Sequence, residues 1–165
     1  PNKILEIGTA VGYSAIRFSK YLTENGCIDT IERDEERILQ AKENVKDLEL
    51  EDKIHIYSGD ALEILPKLTG PYDVVFIDAA KAQNQVFFEK YSPLLAKDGV
   101  IVTDNILFHG YVERYFNKDP MEEVSKDLRA LARKIDRFNQ WLKNNNEYES
   151  HFLDIGDGMV ISTRK

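Results

Sequence analysis

A chain of 165 residues, 42% of them hydrophobic and 10% aromatic, carries enough apolar material for one proper core, and a single domain over residues 1–165 is expected. The formal net charge of −7 argues against a nonspecific polyanion binder while leaving room for a local basic patch. The one cysteine, Cys27, rules out a disulfide framework within the chain; no apolar run reaches the length of a membrane span and no signal peptide is visible, so a cytoplasmic protein with no membrane partner is expected.

The chain begins at Pro1, without a methionine, and enters a strand almost at once, so residues upstream of it are expected. Lys3–Ile7 (KILEI) reads as a first buried strand, Gly8 to Gly12 as the turn after it, and Tyr13–Leu22 as a helix with Ile16 and Tyr21 available to pack on the sheet. Small residues in that turn let the backbone approach a ligand, and the helix beyond offers free N–H groups and the positive end of its dipole. The spacing E-x-G-x-x-x-G departs from the dinucleotide fingerprint G-x-G-x-x-G, and an ordinary tight strand–helix turn also accounts for it.

Cys27–Ile31 is the second strand, ending at Glu32. An acid there, about 20 residues beyond the first glycine, is where a nucleotide ribose is held through its hydroxyls, although a solvated strand-end carboxylate fits too. Asp34 can cap the next helix, with Glu35 and Glu36 in its first turn and Ile38, Ala41, Val45 and Leu48 at helical spacing. Lys53–Tyr57 is the third strand. Asp60 is either the N-cap of a helix over Ala61–Leu68 or an acceptor for an adenine amino group, or both; Pro66, Gly70 and Pro71 close that helix.

The centre of the chain is Tyr72–Lys81 (YDVVFIDAAK). Val74 to Ile77 form an apolar run suited to a strand buried on both faces, and it ends in Asp78 with Lys81 three residues on. Ligands of open α/β sheets gather at the carboxyl ends of strands; a structural ion pair is the alternative. Gln85–Leu95 reads as a helix stopped by a Lys97-Asp98-Gly99 turn, and Val100–Thr103 as a strand ended by Asp104 and Asn105. Asp78 and Asp104 therefore terminate what should be neighbouring parallel strands. With the Asn105 amide oxygen they make a hard-oxygen set suited to Mg²⁺ or a similar ion, where a capping Asp-Asn turn is the plainer explanation.

Ile106–Pro120 is too polar and irregular for core and reads as a substrate-side loop containing His109, Gly110, Tyr111, Arg114 and Tyr115. Met121–Lys143 is a long amphipathic helix. Val124, Leu128, Leu131, Ile135, Phe138 and Leu142 share one face, and Lys126, Arg129, Arg133 and Arg137 line the other, where a solvated basic face suffices. Glu147–Ile155, the turn Gly156-Asp157-Gly158 and Met159–Thr163 make a closing hairpin.

In order, EIGTAVGYSA, IERD, GDALEILP, FIDAAK, VTDN and DIGDGMVIS resemble the motifs of the class I S-adenosylmethionine (SAM)-dependent O-methyltransferases, in the metal-dependent group that includes catechol and caffeoyl-CoA O-methyltransferases. IERDEER, FIDAAK and DNILFHG look closest to the bacterial tRNA 5-hydroxyuridine methyltransferases. The resemblance covers nearly the whole chain and implies an α/β, Rossmann-like fold: a seven-stranded, mostly parallel sheet with a C-terminal antiparallel hairpin and helices on both faces. It implies that Gly8, Thr9, Ala10, Ser14, Glu32, Arg33, Asp60, Ala61 and Asp78 surround SAM, with Glu32 on the ribose. Asp78, Asp104 and Asn105 match the ligands of Mg²⁺ or another divalent cation, and Lys81 the catalytic lysine acting beside Asp78. The resemblance implies helices before the first strand, which the residues from Pro1 onward do not include.

Methyl transfer from a sulfonium is an in-line displacement by an oxyanion, and a cation that chelates two vicinal oxygens lowers the hydroxyl pKa while Lys81 takes the proton. Catechol offers such an oxygen pair, and so does 5-hydroxyuridine through its 4-carbonyl and 5-hydroxyl. The expected partner is therefore tRNA or a small vicinal-diol aromatic, in a homodimer. Two rivals stand outside this class. An NAD-dependent oxidoreductase would use Glu32 but give Asp104 and Asn105 no role, and a cofactor-binding module would perform no catalysis.

Overall fold

Side-chain alternation along β1 (Lys3–Ile7) already divides the core in two: Ile4 faces one way, Leu5 and Ile7 the other. The computed structural model describes residues 1–165, leaving aside the side chain of Pro66, which lies outside the described residues. After β1 come α1 (Tyr13–Ser19), β2 (Cys27–Glu32), α2 (Glu35–Asp47), β3 (Ile54–Ser58), α3 (Ala61–Ile64) and β4 (Tyr72–Ile77). Then follow α4 (Asn84–Tyr91), β5 (Leu95–Asp104), α5 (Tyr111–Phe116), α6 (Lys126–Lys143), β6 (Tyr148–Leu153) and β7 (Met159–Arg164). The strands form one seven-stranded sheet in the order β3-β2-β1-β4-β5-β7-β6, parallel except for β7, which runs antiparallel between β5 and β6.

On the Ile4 face, Ile28 and Ile54 are covered by Ala15 of α1 and Val45 of α2. On the other, Leu5, Val75 and Ile101 lie beneath Phe87, Phe88 and Tyr91 of α4 and Phe138 and Leu142 of α6. Phe88 meets Trp141 and Tyr148 edge-on at 5.3 and 5.0 Å, tying α4, α6 and β6 together at about 0.5–1.5 kcal/mol per pair beyond the area buried. Among the described residues, no helix is long and apolar enough to cross a membrane. The strand order reverses between β1 and β4, so a crevice opens at their carboxyl ends.

Several local expectations need correction. The Lys97-Asp98-Gly99 turn lies inside β5: Tyr72 pairs with Leu95 but Val74 with Val100, so residues 96–99 bulge within one strand. Gly99 permits it, because a Cβ there would sit 2.9 Å from the Tyr72 carbonyl oxygen. The preceding helix accordingly ends at Tyr91, followed by a 3-10 turn at Ser92–Leu94. The helix at Tyr13 stops at Ser19, which leaves Tyr21 exposed, and Ala61–Leu68 is one helical turn followed by a 3-10 turn at Leu65–Lys67. The stretch 106–120 is not irregular throughout, since Ile106 and Val112 are buried and α5 packs against α6. The last long helix begins at Lys126: the Ser125 Oγ accepts the Leu128 N–H at 3.2 Å and caps it. Its core face is Ala132, Ile135, Phe138 and Leu142, and Leu128 in the first turn is exposed.

Candidate active site

The crevice is set by one glycine. Gly8 has φ +108°, and a Cβ on it would lie 2.2 Å from the carbonyl oxygen of Asp78, so only glycine lets the end of β1 pass this close to the end of β4. The Asp78 N–H donates to the Ile7 carbonyl at 3.0 Å, and the Gly8 and Thr9 N–H groups donate to Ile31. Ala10 is held at φ 46°, a strained conformation for a non-glycine residue, and its N–H donates to Glu32 Oε2 at 2.9 Å.

Glu32 is the last residue of β2, where its carboxylate collects two more backbone donors: the N–H groups of Arg33 and Asp34 reach Oε1 at 2.8 and 3.0 Å. It is buried, yet three N–H dipoles hold its charge in place. Asp60 caps α3 through Oδ1, which accepts the Leu62 N–H at 2.7 Å, and its Oδ2 stands 4.0 Å from the Arg33 guanidinium. The capping role thus accounts for one oxygen and leaves the other beside Arg33. A cavity of about 490 Å³ gathers the residues expected around the cofactor: Gly8, Thr9, Ala10 and Ser14 from the first loop and helix, Glu32 and Arg33 from the second strand end, Asp60 and Ala61 from the third, and Asp78 from the fourth. Tyr13, Arg37, Gln83 and Phe87 line it as well. Nothing in the sequence sets these four apart from ordinary helix residues; the strand ends bring them in.

Asp78 is shared between this cavity and a second group. Lys81 Nζ donates to Asp78 Oδ1, and a 3-10 turn over Lys81–Gln83 holds the two together. Ile77 and Thr103 are register partners in adjacent parallel strands, so Asp78 and Asp104 leave the sheet side by side. Asn105 follows with φ 59°, and its N–H donates to Asp104 Oδ1 at 2.7 Å. Phe108 and His109 also have positive φ, so non-glycine strain clusters just after β5. The Gly156–Gly158 turn latches that loop. Ile106 and Leu107 N–H groups donate to the Gly158 and Asp157 carbonyls at 3.0 Å each, and the His109 N–H donates to Asp157 Oδ1 at 2.5 Å. His109 is thereby anchored through its backbone, with its ring exposed.

One buried group escaped the sequence reading. Glu6 is fully buried under the first loop; Ser14 Oγ donates to its Oε1, and Thr30 Oγ1, itself 2.7 Å from Thr9 Oγ1, donates to Oε2 at 2.5 Å. Burial, opposed by these two hydroxyls and assisted by the charges of Asp78 and Glu32, pushes its carboxyl up to about 7. An acid inside a strand could have signalled it.

A parallel sheet with a switch-point crevice, an antiparallel final strand and acids at successive strand ends defines a Rossmann-like enzyme of the class I methyltransferase type. The chain belongs to the O-methyltransferase family, whose model matches residues 1–165, and it is a SAM-dependent O-methyltransferase of the catechol and caffeoyl-CoA type. It is 31% identical to a catechol O-methyltransferase of Niastella koreensis over 98% of this chain and 73% of that one. A solved structure from Staphylococcus aureus, provisionally assigned as a caffeoyl-CoA O-methyltransferase, is 40% identical with a TM-score of 0.90, covering 99% of this chain and 76% of that one. An O-methyltransferase from Bacillus cereus, solved in complex with SAH, is 29% identical with a TM-score of 0.83 over 99% of this chain and 74% of its own.

Proposed function

We propose that this chain methylates one of two vicinal substrate oxygens with the help of a divalent cation, and that the substrate is 5-hydroxyuridine in tRNA. The observation that carries the chemistry is the side-by-side exit of Asp78 and Asp104 from paired strands with Lys81 on Asp78. Two carboxylates and the Asn105 amide are hard oxygen donors, and this donor set fits Mg²⁺ or a similar ion. The cavity fits SAM: glycine allows the close backbone approach, and Glu32, already aligned by three N–H groups, keeps an acceptor position on Oε2 for a ribose hydroxyl.

When bound, SAM supplies a methyl group activated on a sulfonium, and a divalent cation supplies positive charge that favours the ionised form of a neighbouring hydroxyl. Asp78, Asp104 and Asn105 would hold the cation and so orient the substrate oxygens beside the cavity. Lys81 Nζ, positioned at Asp78 Oδ1, would accept the hydroxyl proton once it has given up its own and become a neutral amine.

The polynucleotide reading is supported by α6, which packs against the Lys81–Gln83 turn and turns Lys126, Arg133 and Arg137 to solvent. A chain of net charge −7 must concentrate its cations locally to hold a tRNA arm, and here the stripe rides on a helix that touches the catalytic turn. Nucleoside mass spectrometry of tRNA from cells lacking the protein is expected to show 5-hydroxyuridine accumulating and its O-methyl product gone. The purified protein is expected to restore the product with SAM and Mg²⁺ but not in EDTA. An unchanged nucleoside profile overturns the substrate, and full activity in EDTA overturns the metal. The second reading, a small catechol-like phenol, is favoured by the identity to the Niastella koreensis enzyme. It predicts that charge reversal at Lys126, Arg133 and Arg137 leaves KM unmoved, whereas a tRNA substrate predicts a raised KM that worsens with salt.

A further inference from the structure

We infer that Cys27, Asp29 and His55 form a second metal site, for a borderline-soft divalent ion such as Zn²⁺, at the end of the sheet opposite the active site. Cys27 and Asp29 are two apart on β2 and share a face, and His55 of β3 is the register partner of Asp29 on that face. One ligand atom from each, a thiol sulfur, a carboxylate oxygen and an imidazole nitrogen, lies within 4.8 Å of the other two. Ligands about 2.0–2.3 Å from a shared tetrahedral ion stand roughly 3.3–3.8 Å apart, so the donors need to close by no more than roughly 1–1.5 Å. His55 Nδ1 and Asp29 Oδ1, at 3.0 Å, are already that close.

The surroundings are those of an oriented ligand. Asp29 is 2% exposed, and its second oxygen, Oδ2, takes the Tyr72 hydroxyl at 2.6 Å and the Lys3 ammonium at 3.4 Å. These partners fix the carboxylate and leave Oδ1 turned to His55, as outer-shell donors do around metal ligands. Lys3 is itself drawn away by the Thr69 carbonyl and the Tyr72 ring, so its charge stays on the Oδ2 side. Thiolate and carboxylate balance the charge of a divalent ion, and the exposed edge of His55 leaves a fourth position open to water. The mixed sulfur, nitrogen and oxygen set selects zinc, cobalt or copper rather than magnesium, unlike the all-oxygen set at the other end. Asp29 precedes Glu32 by three residues, so the two sites lie about 10 Å apart along β2.

The test is titration of the full chain, stripped with chelator and exchanged into buffer, with Co²⁺ alone and then Zn²⁺ alone. The expected result is a thiolate-to-cobalt charge-transfer band that saturates at one ion per chain and is bleached by zinc. Cys27→Ala is expected to abolish the band, the surface variant His55→Gln to weaken zinc binding at least tenfold, and Tyr72→Phe to weaken it about 10–100-fold. Asp104→Asn is expected to leave the band unchanged. Absence of the band, its persistence in Cys27→Ala, or zinc binding that His55→Gln leaves unaltered overturns the site.

Discussion

Glu6 and Glu32 share one residue type and one neighbourhood, and opposite electrostatics. Glu32 is surrounded by three backbone N–H donors that favour its charge; Glu6 has two hydroxyl donors, whose support for the ionised form burial outweighs. Glu32→Ala is expected to weaken SAM binding by about 2–4 kcal/mol, the loss of a charged acceptor from a buried site. Isothermal titration calorimetry reads this directly, and unchanged affinity would reduce Glu32 to a strand-end charge. For Glu6 the folded value of about 7 exceeds the unfolded 4.5, so the folded chain keeps a proton that the unfolded chain releases. Stability is full below pH 4.5 and is lost as pH rises to about 7, by about 3 kcal/mol in all. Urea unfolding across that window is expected to show the wild-type chain losing this amount relative to Glu6→Gln; a pH-independent difference between the two removes the argument.

At the scale of elements, the part that shapes the candidate catalytic end is the latch between the Gly156–Gly158 turn and the loop after β5. A Cβ at Gly158 would lie 2.3 Å from Leu107 Cγ, with φ at +79°, whereas a Cβ at Gly156 meets nothing within 4 Å. Gly158→Ala is therefore expected to cost about 1–3 kcal/mol and to lower kcat by displacing the Asn105 loop, while Gly156→Ala, strained but unobstructed, costs about 1 kcal/mol and leaves kcat near wild type. Thermal melts and steady-state kinetics on the pair separate the latch from simple backbone strain. The strand ends were legible in the chain because buried parallel strands are continuous apolar runs, and an acid that stops such a run stands out, as at Glu32, Asp78 and Asp104. The latch was not legible. It joins Asp157 to Leu107 through its carbonyl and to His109 through its carboxylate, and no local pattern in either segment encodes that meeting. The β5 bulge and Leu128 were misread for the same reason, since neighbours far away in sequence decided whether a turn reverses the chain and whether an apolar residue finds cover.

For the molecule as a whole, β7 sets an order of assembly. The candidate cofactor cavity is lined by residues no later than Phe87 and needs Ile4 to meet Val74 across the chain, while the loop after β5 is fastened only when Val160 returns to Thr103. Both are long closures, but the cavity needs only the first and turnover needs both, in a size range where intermediates become common. Refolding thus has two clocks. SAM binding is expected to reappear with the first four strands, and methyl transfer to lag behind it until the last strand has slipped between β5 and β6 and fastened the catalytic loop. Stopped-flow refolding, sampled for SAM binding and separately for turnover, measures that interval; if both return together at all denaturant concentrations, the sheet closes as one unit.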